Sequence, residues 1–272
     1  MNKAGLPPNV LVVSELPAGH SGYSLEDRAV VEALWKAEER HFWHRARNRF
    51  IQQGLRRLGA PPPATFLEIG CGGGCVAAAL SRSGYRVTGV DGHAELVLRA
   101  AARAPGASFV VHDLGRGLDD VGGREWDAAG LFDVLEHLED PAEAVADAAR
   151  RVVPGGLVVG TVPALMSLWS DVDARSGHRL RFEPTGLREV LRGMAGTEVL
   201  EVRPFNRLLV PMLWMQRRAA GRRDALERGL AVPWAPVNWA MDGLLRAEYV
   251  GGAALDRMGM PGASLWFAVR VR

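Results

Sequence analysis

The sequence predicts an α/β fold, a doubly wound and mostly parallel seven-stranded sheet with helices on both faces. Three observations carry this. From residue 65 onward, short apolar runs of strand length alternate with helix-length amphipathic segments, the pattern of parallel strands joined by right-handed crossovers. The first run, Thr65-Phe-Leu-Glu-Ile-Gly-Cys-Gly-Gly-Gly74, ends in a glycine turn that opens a helix. Such a turn lets a ligand approach backbone N–H groups that a side chain would cover. Finally, 272 residues with 48% apolar and 24% charged content suit one large α/β domain, or one with a sizeable insertion.

Residues 1–60 read as an N-terminal arm and helical cap. The first 22 carry proline and glycine, with a short strand at Val10–Val13. From Leu25 to about Leu58, Val30, Val31, Leu34, Trp35, Phe42, Trp43, Phe50 and Ile51 recur at helical spacing, and Gly59-Ala-Pro-Pro-Pro63 stops that helix. Residues 61–204 form the ligand-binding core, with strands near 65–69, 86–90, 108–111, 127–131, 157–162 and 198–203. Helices over 74–83, 93–104, 140–152 and 185–194 lie between them. Residues 205–255 interrupt the pattern with an apolar run Leu208–Met215, a basic cluster from Gln216 to Arg223, and Trp234 and Trp239 among prolines. They read as a helical cap insertion before a final strand in 256–272. Of eight tryptophans, only Trp126 lies between residues 61 and 160; the others sit in the N-terminal helix or after residue 160. That weighting either builds a substrate-facing surface in the caps or cements the caps to the sheet.

A net charge of +2 and the lack of a long basic run give no reason to expect nucleic acid. The two cysteines, Cys71 and Cys75, cannot make a disulfide framework, which points to a reducing compartment. The first residues lack a signal-peptide core and no apolar run approaches a membrane span, so the expected location is cytoplasmic.

The glycine spacing decides between ligands. A dinucleotide turn asks for G-x-G-x-x-G, but Cys75 stands at the third glycine, and Glu68 would repel a pyrophosphate while suiting an amino group. The pattern of Glu68, Gly70, Gly72 and Gly74 resembles motif I of the class I S-adenosylmethionine-dependent methyltransferases. Leu131-Phe-Asp-Val-Leu-Glu-His-Leu-Glu-Asp-Pro141 is similar to a segment of their ubiquinone-biosynthesis-like branch. The resemblance implies a Rossmann-like core with an antiparallel last strand and S-adenosyl-L-methionine as cofactor. Glu68, Gly70, Cys71, Gly72 and Gly74 would form its turn. Asp91, beside Gly92, is placed to accept ribose hydroxyls or to cap the next helix. Asp113 and Leu114 match the adenine-binding position, with a capping aspartate as the alternative. Phe132 and Asp133 complete this set. Glu38 to Arg49 resembles the helix that folds over the cofactor; Arg45, Arg47 and Arg49 are candidates for the methionine carboxylate, and Trp43 and Arg47 join the cofactor set.

His137 is the first candidate for general base, since imidazole titrates near working pH. Asp133, Glu136 and His137 have the spacing of a divalent-cation site, but no metal is expected. Trp169-Ser-Asp-Val-Asp173 through Gly177-His178 to Arg181 resembles an acceptor-side segment of bacterial relatives. That makes Trp169, Asp173 and Arg181 substrate candidates and His178 the second base. The function implied is methyl transfer to an oxygen or nitrogen of a small or medium-sized metabolite. A non-methylating protein of the same fold and a Rossmann oxidoreductase are the alternatives. Expected partners are a small-molecule acceptor and no nucleic acid, in a monomer or homodimer; residues 205–255 read as a soluble cap or dimer interface, with membrane-surface or lipid-linked acceptor contact as the alternative.

Overall fold

The computed structural model describes residues 6–14, 35, 37–122, 125–219 and 232–272. One sheet runs in the order β1-β4-β3-β2-β5-β6-β8-β7. Its strands are β1 (Val10–Val12), β2 (Thr65–Ile69), β3 (Arg86–Asp91), β4 (Ser108–Val111), β5 (Trp126–Phe132), β6 (Val152–Pro163), β7 (Thr197–Phe205) and β8 (Ser264–Val271). Every pairing is parallel except those of β8, which lies antiparallel between β6 and β7, as the resemblance implied. The expected seven strands become eight. The short N-terminal strand joins the sheet edge alongside β4, fastened by Asn9 Nδ2 donating to Ala107 O at 2.9 Å. Three residues carry too little periodicity to place a strand in a sheet from sequence.

Alternate residues of the strands feed two cores, one on each face. Phe66, Val87 and Phe109 meet helices α1 (Phe42–Arg57), α2 (Cys75–Arg82) and α3 (Ala94–Arg103). Leu67, Val90 and Leu131 meet α4 (Pro141–Arg151) and α6 (Pro184–Arg192), with the short α5 (Asp171–Arg175) before the latter. Both faces are covered, so the strands are nearly continuous apolar runs.

The N-terminal cap departs from expectation. Residues 37–40 are helical, but the chain turns at His41, whose extended backbone and ring Nδ1 cap α1 by accepting from Trp43 N at 3.1 Å. One helix over 25–58 is therefore interrupted, and its stretch 25–34 lies outside the described residues. α1 sits on the sheet through Phe50, which stacks on Phe205 at 4.6 Å and meets Trp266 edge-on at 5.7 Å. Gly54 lets that tryptophan in, because a Cβ there would stand 2.8 Å from its ring. Each such aromatic pair adds about 1 kcal/mol beyond area burial.

The insertion is helical as expected: α7 (Val210–Ala219), α8 (Ala235–Val250) and α9 (Gly252–Arg257). The arginines at 222 and 223 lie outside the described residues. α8 is tied to α1 by polar groups. Asn238 accepts from Phe42 N and donates to Arg40 O, each at 2.8 Å, while the buried Asp242 accepts from Arg45, Arg49 and Arg246. The two caps thus form one roof. Among the described residues no helix is long and apolar enough to cross a membrane.

Candidate active site

A cavity of about 930 Å³ lies at the carboxyl ends of β2, β3, β4 and β5, under the roof of α1, α7 and α8. β2 is flanked by β3 and β5, so strand order reverses there, and the crevice outside that point is where open α/β sheets bind ligands. The glycine turn forms its floor. Gly70, Gly72 and Gly74 all adopt positive φ, at 73°, 49° and 74°. Their uses differ. A Cβ on Gly70 would lie 2.6 Å from Val134, and one on Gly74 would lie 2.7 Å from Ala100. At Gly72 a Cβ would meet no atom of the described residues within 4 Å, so among them this glycine keeps space open.

Glu68, Gly70, Cys71, Gly72, Asp91, Gly92, Asp113, Leu114, Phe132 and Asp133 all line the cavity, with Trp43 and Arg47 above them. Gly74 does not; it permits the close approach of α3. Asp91 ties the end of β3 to the glycine turn. It lines the cavity, while its carboxylate accepts from Gly72 N and from His93 N, each at 2.9 Å. Asp113 likewise caps a turn, accepting from Gly115 N at 3.0 Å. The three arginines of α1 separate: Arg45 and Arg49 go to Asp242 in the roof, and only Arg47 enters the cavity, where it pairs with Asp133. The Arg47 guanidinium also sits 4.8 Å from the Trp43 ring centroid, a cation–π contact. Glu68 is buried, and its Oε2 has no hydrogen-bond partner among the described residues. Burial pushes its carboxyl up to about 8, against the pull of the Arg47 charge.

The second wall carries the histidines. His137 and His178 meet edge to face at 4.8 Å. His137 Nδ1 donates to Gly177 O at 3.2 Å, which leaves the lone pair on Nε2. Burial, and then the His178 charge, lower His137 to about 4. His178 Nδ1 donates to Asp173 Oδ1 at 3.2 Å, and that carboxylate is itself gripped by Arg181 Nε at 2.8 Å and Nη2 at 2.6 Å. Asp173 also accepts from Ser170 N and Oγ, which locks α5 in place. Of the substrate candidates, only Arg181 reaches the cavity. Asp173 is buried behind His178, and the half-buried Trp169 lies off the lining.

The cation set read from the sequence does not assemble, because Asp133 is committed to Arg47 and to Thr161 Oγ1 at 3.2 Å. Among the described residues the group that comes together is Glu136, His137 and His178, whose nearest ligand atoms lie within 4.8 Å of one another. Glu136 is fully buried, its carboxylate oxygens meet no hydrogen-bonding side chain among the described residues, and burial raises its carboxyl well above the usual range, favouring the neutral acid.

Sequence reasoning missed several lining residues. Glu38, His41 and His44 come from the roof, and His93, Leu96 and Arg99 from the start of α3. The run His41-Phe-Trp-His44 held the signal, two imidazoles flanking the aromatic pair already singled out. The far end is apolar, built from Phe42, Leu209, Met212, Leu213, Val237 and Met241, and no local motif marks the part from the insertion.

A family model described as a methyltransferase domain matches residues 42–202. A ubiquinone biosynthesis O-methyltransferase of Sodalis glossinidius is 28% identical over 206 residues, spanning 71% of this chain and 82% of that protein. Among solved structures, phosphoethanolamine N-methyltransferase 2 of Haemonchus contortus, in complex with phosphomonomethylethanolamine and S-adenosylhomocysteine, aligns with a TM-score of 0.57 at 20% identity. That alignment covers 94% of this chain and 61% of the other. The cyclase SpnF aligns with a TM-score of 0.54 at 20% identity, covering 84% and 82%. These two show the shared fold.

Proposed function

The chain belongs to the methyltransferase-domain family and is an S-adenosylmethionine-dependent methyltransferase, and from that premise we propose that it methylates a hydroxyl group carried on an apolar body. The single observation that carries this is the shape of the cavity. Its lining joins a polar set, the glycine turn, Asp91, Asp113 and Arg47, to an apolar set, and His178 belongs to the same lining.

The polar half fits the cofactor. Gly72 keeps space clear, Glu68 offers an orphaned carboxylate oxygen for an ammonium group, and Arg47 offers a cation for a carboxylate. Asp91 and Asp113 supply acceptors for ribose hydroxyls and an adenine amino group. When bound, S-adenosylmethionine supplies an electrophilic methyl on a sulfonium.

The protein's part is alignment and proton removal. Holding acceptor and donor in line supplies much of the rate in such a displacement. His178 is the base: Asp173 fixes its tautomer and orientation and would stabilise the imidazolium, while Arg181 holds Asp173. His137 was the leading candidate in the sequence, but with its basicity depressed to about 4 it serves better as a neutral wall of the acceptor pocket. The apolar half, with its two methionines, would accept a flexible or irregular hydrocarbon body.

The test is a panel of phenols, alcohols and amines assayed for adenosylhomocysteine release. Apolar phenols or alcohols should lead, and His178→Ala should lose about 10²–10⁴-fold in turnover with adenosylhomocysteine affinity intact. Exclusive use of amines, or full activity in His178→Ala, would end this reading.

A second reading concerns delivery of the acceptor. Trp234 and Trp239, 65% and 73% exposed, flank Val237, which lines the cavity, and four arginines stand in the sequence at 217, 218, 222 and 223. We infer that this cap touches anionic membrane surfaces, because indole rings and arginines favour that interface. Co-sedimentation with anionic vesicles that is lost in Trp234→Ala/Trp239→Ala would support it; a wild-type protein left in the supernatant would remove it.

A further inference from the structure

Arg103, in the last turn of α3, stands behind the cavity wall and outside every motif considered above. Its side chain is 4% exposed. A basic residue at a helix C-terminus ordinarily answers its own helix dipole, but this guanidinium turns to groups far away in the chain. Nη1 donates to Glu38 Oε2 at 2.5 Å and to Gly73 O at 2.9 Å, and Nη2 donates to Trp35 O at 2.9 Å. It also lies 5.0 Å from the Trp35 ring centroid. Trp35, Glu38 and Gly73 all line the cavity. One side chain therefore joins the turn that forms the cavity floor to the helical segment that covers it. A second tie, Cys75 Sγ to Glu38 O at 3.5 Å, runs parallel to it. The seam is tight, since a Cβ on Gly73 would stand 3.3 Å from Trp35 and 3.5 Å from Glu38.

We propose that Arg103 is a latch that holds Trp35 and Glu38 over the glycine turn and thereby sets the rate at which cofactor and its product leave. It is a positioning residue, acting through Glu38 and Trp35. A planar guanidinium suits the task because it can serve a carboxylate and two carbonyls at once, which a lysine ammonium on a flexible stem does less well. Product release limits turnover in many enzymes that close over their ligands, so the latch is a control point for kcat as well as for affinity.

The proposal rests on the reading of this cavity as the S-adenosylmethionine site, and the test separates the two. Adenosylhomocysteine dissociation is measured by stopped-flow tryptophan fluorescence, and affinity by calorimetry, for wild type, Arg103→Ala, Arg103→Lys and Glu38→Gln. Melting temperatures of the ligand-free proteins are recorded alongside. Release should be at least about ten-fold faster in Arg103→Ala, intermediate in Arg103→Lys and in Glu38→Gln, and no faster in the Arg103→Ala/Glu38→Gln double variant than in Arg103→Ala. Glu38→Gln alters a partly exposed side chain and serves if Arg103→Ala does not fold. A merely structural arginine would lower the melting temperature and leave release from the folded protein unchanged; unchanged release in the folded variants overturns the latch. Wild-type protein that does not bind adenosylhomocysteine would overturn the cofactor reading itself.

Discussion

The Arg47 guanidinium on α1 closes on the Asp133 carboxylate at the end of β5, bridging the roof of the cavity to its floor. Asp133 holds φ at 57°, a left-handed conformation that aspartate and asparagine tolerate better than other side chains. The pair places the one arginine of α1 that enters the cavity beside Glu68, with the carboxylate partner on the same wall as Glu136.

Arg47→Ala should weaken adenosylhomocysteine binding by about 10–100-fold, the value of a lost charge-assisted hydrogen bond. Asp133→Asn keeps the local backbone and removes the charge that competes with a ligand carboxylate for Arg47, so its loss should be smaller. Calorimetric titration of both variants checks the order. An unchanged affinity in Arg47→Ala would show that the carboxylate is held elsewhere.

Much of this geometry was legible beforehand, for identifiable reasons. The glycine turn, Asp91 and Asp113 are local features at strand ends, where chain order and spatial order coincide, and all but Gly74 line the cavity. The sequence did not rank Arg45, Arg47 and Arg49, because the choice depends on Asp242 of α8, nearly 200 residues away, drawing off two of them. The buried Asp173–Arg181 brace behind His178 exists only in three dimensions and has no local signal. The break at His41 was hidden for another reason: helical periodicity continues across it, and only the cap contacts reveal it.

Chelators should leave the rate unchanged, since proton removal is assigned to His178 and needs no metal. Added zinc should inhibit, and in competition with the acceptor. Glu136, His137 and His178 can converge on one ion, and two imidazoles with a carboxylate suit zinc. Steady-state kinetics with and without EDTA and with micromolar zinc checks both. Activation by magnesium or zinc after chelation would assign the group to catalysis instead.

Glu68 makes both stability and cofactor binding depend on pH. Its folded value of about 8 lies above its ordinary 4.5, so the folded protein keeps a proton that the unfolded chain gives up. The stabilisation is complete below about 4.5 and is lost as pH rises towards 8, by no more than about 5 kcal/mol for a shift of this size. Glu68→Gln should remove this slope, so that the variant gains on wild type in melting temperature from pH 5 to pH 8. An ammonium-bearing ligand favours the ionised carboxylate, so adenosylhomocysteine should release a proton on binding near pH 7. Calorimetry in buffers of different ionisation enthalpy measures that proton, and its absence would mean that Glu68 does not meet the amino group.

Three glycines of one turn should fail in different ways when given a methyl group. In Gly74→Ala the new Cβ would stand 2.7 Å from the Cβ and 2.8 Å from the Cα of Ala100, so α3 must shift and stability should fall by about 1–3 kcal/mol. Gly70→Ala meets Val134 at 2.6 Å and should lose stability together with binding, since Val134 also lines the cavity. Gly72→Ala meets no atom of the described residues within 4 Å; its expected cost is that of the positive φ, about 1–2 kcal/mol. That variant should fold and yet bind adenosylhomocysteine at least about ten-fold more weakly, because the methyl occupies the space the turn keeps clear. Thermal melting and calorimetric titration of the three variants separate packing from ligand contact. Wild-type affinity in Gly72→Ala would move the ligand away from the turn.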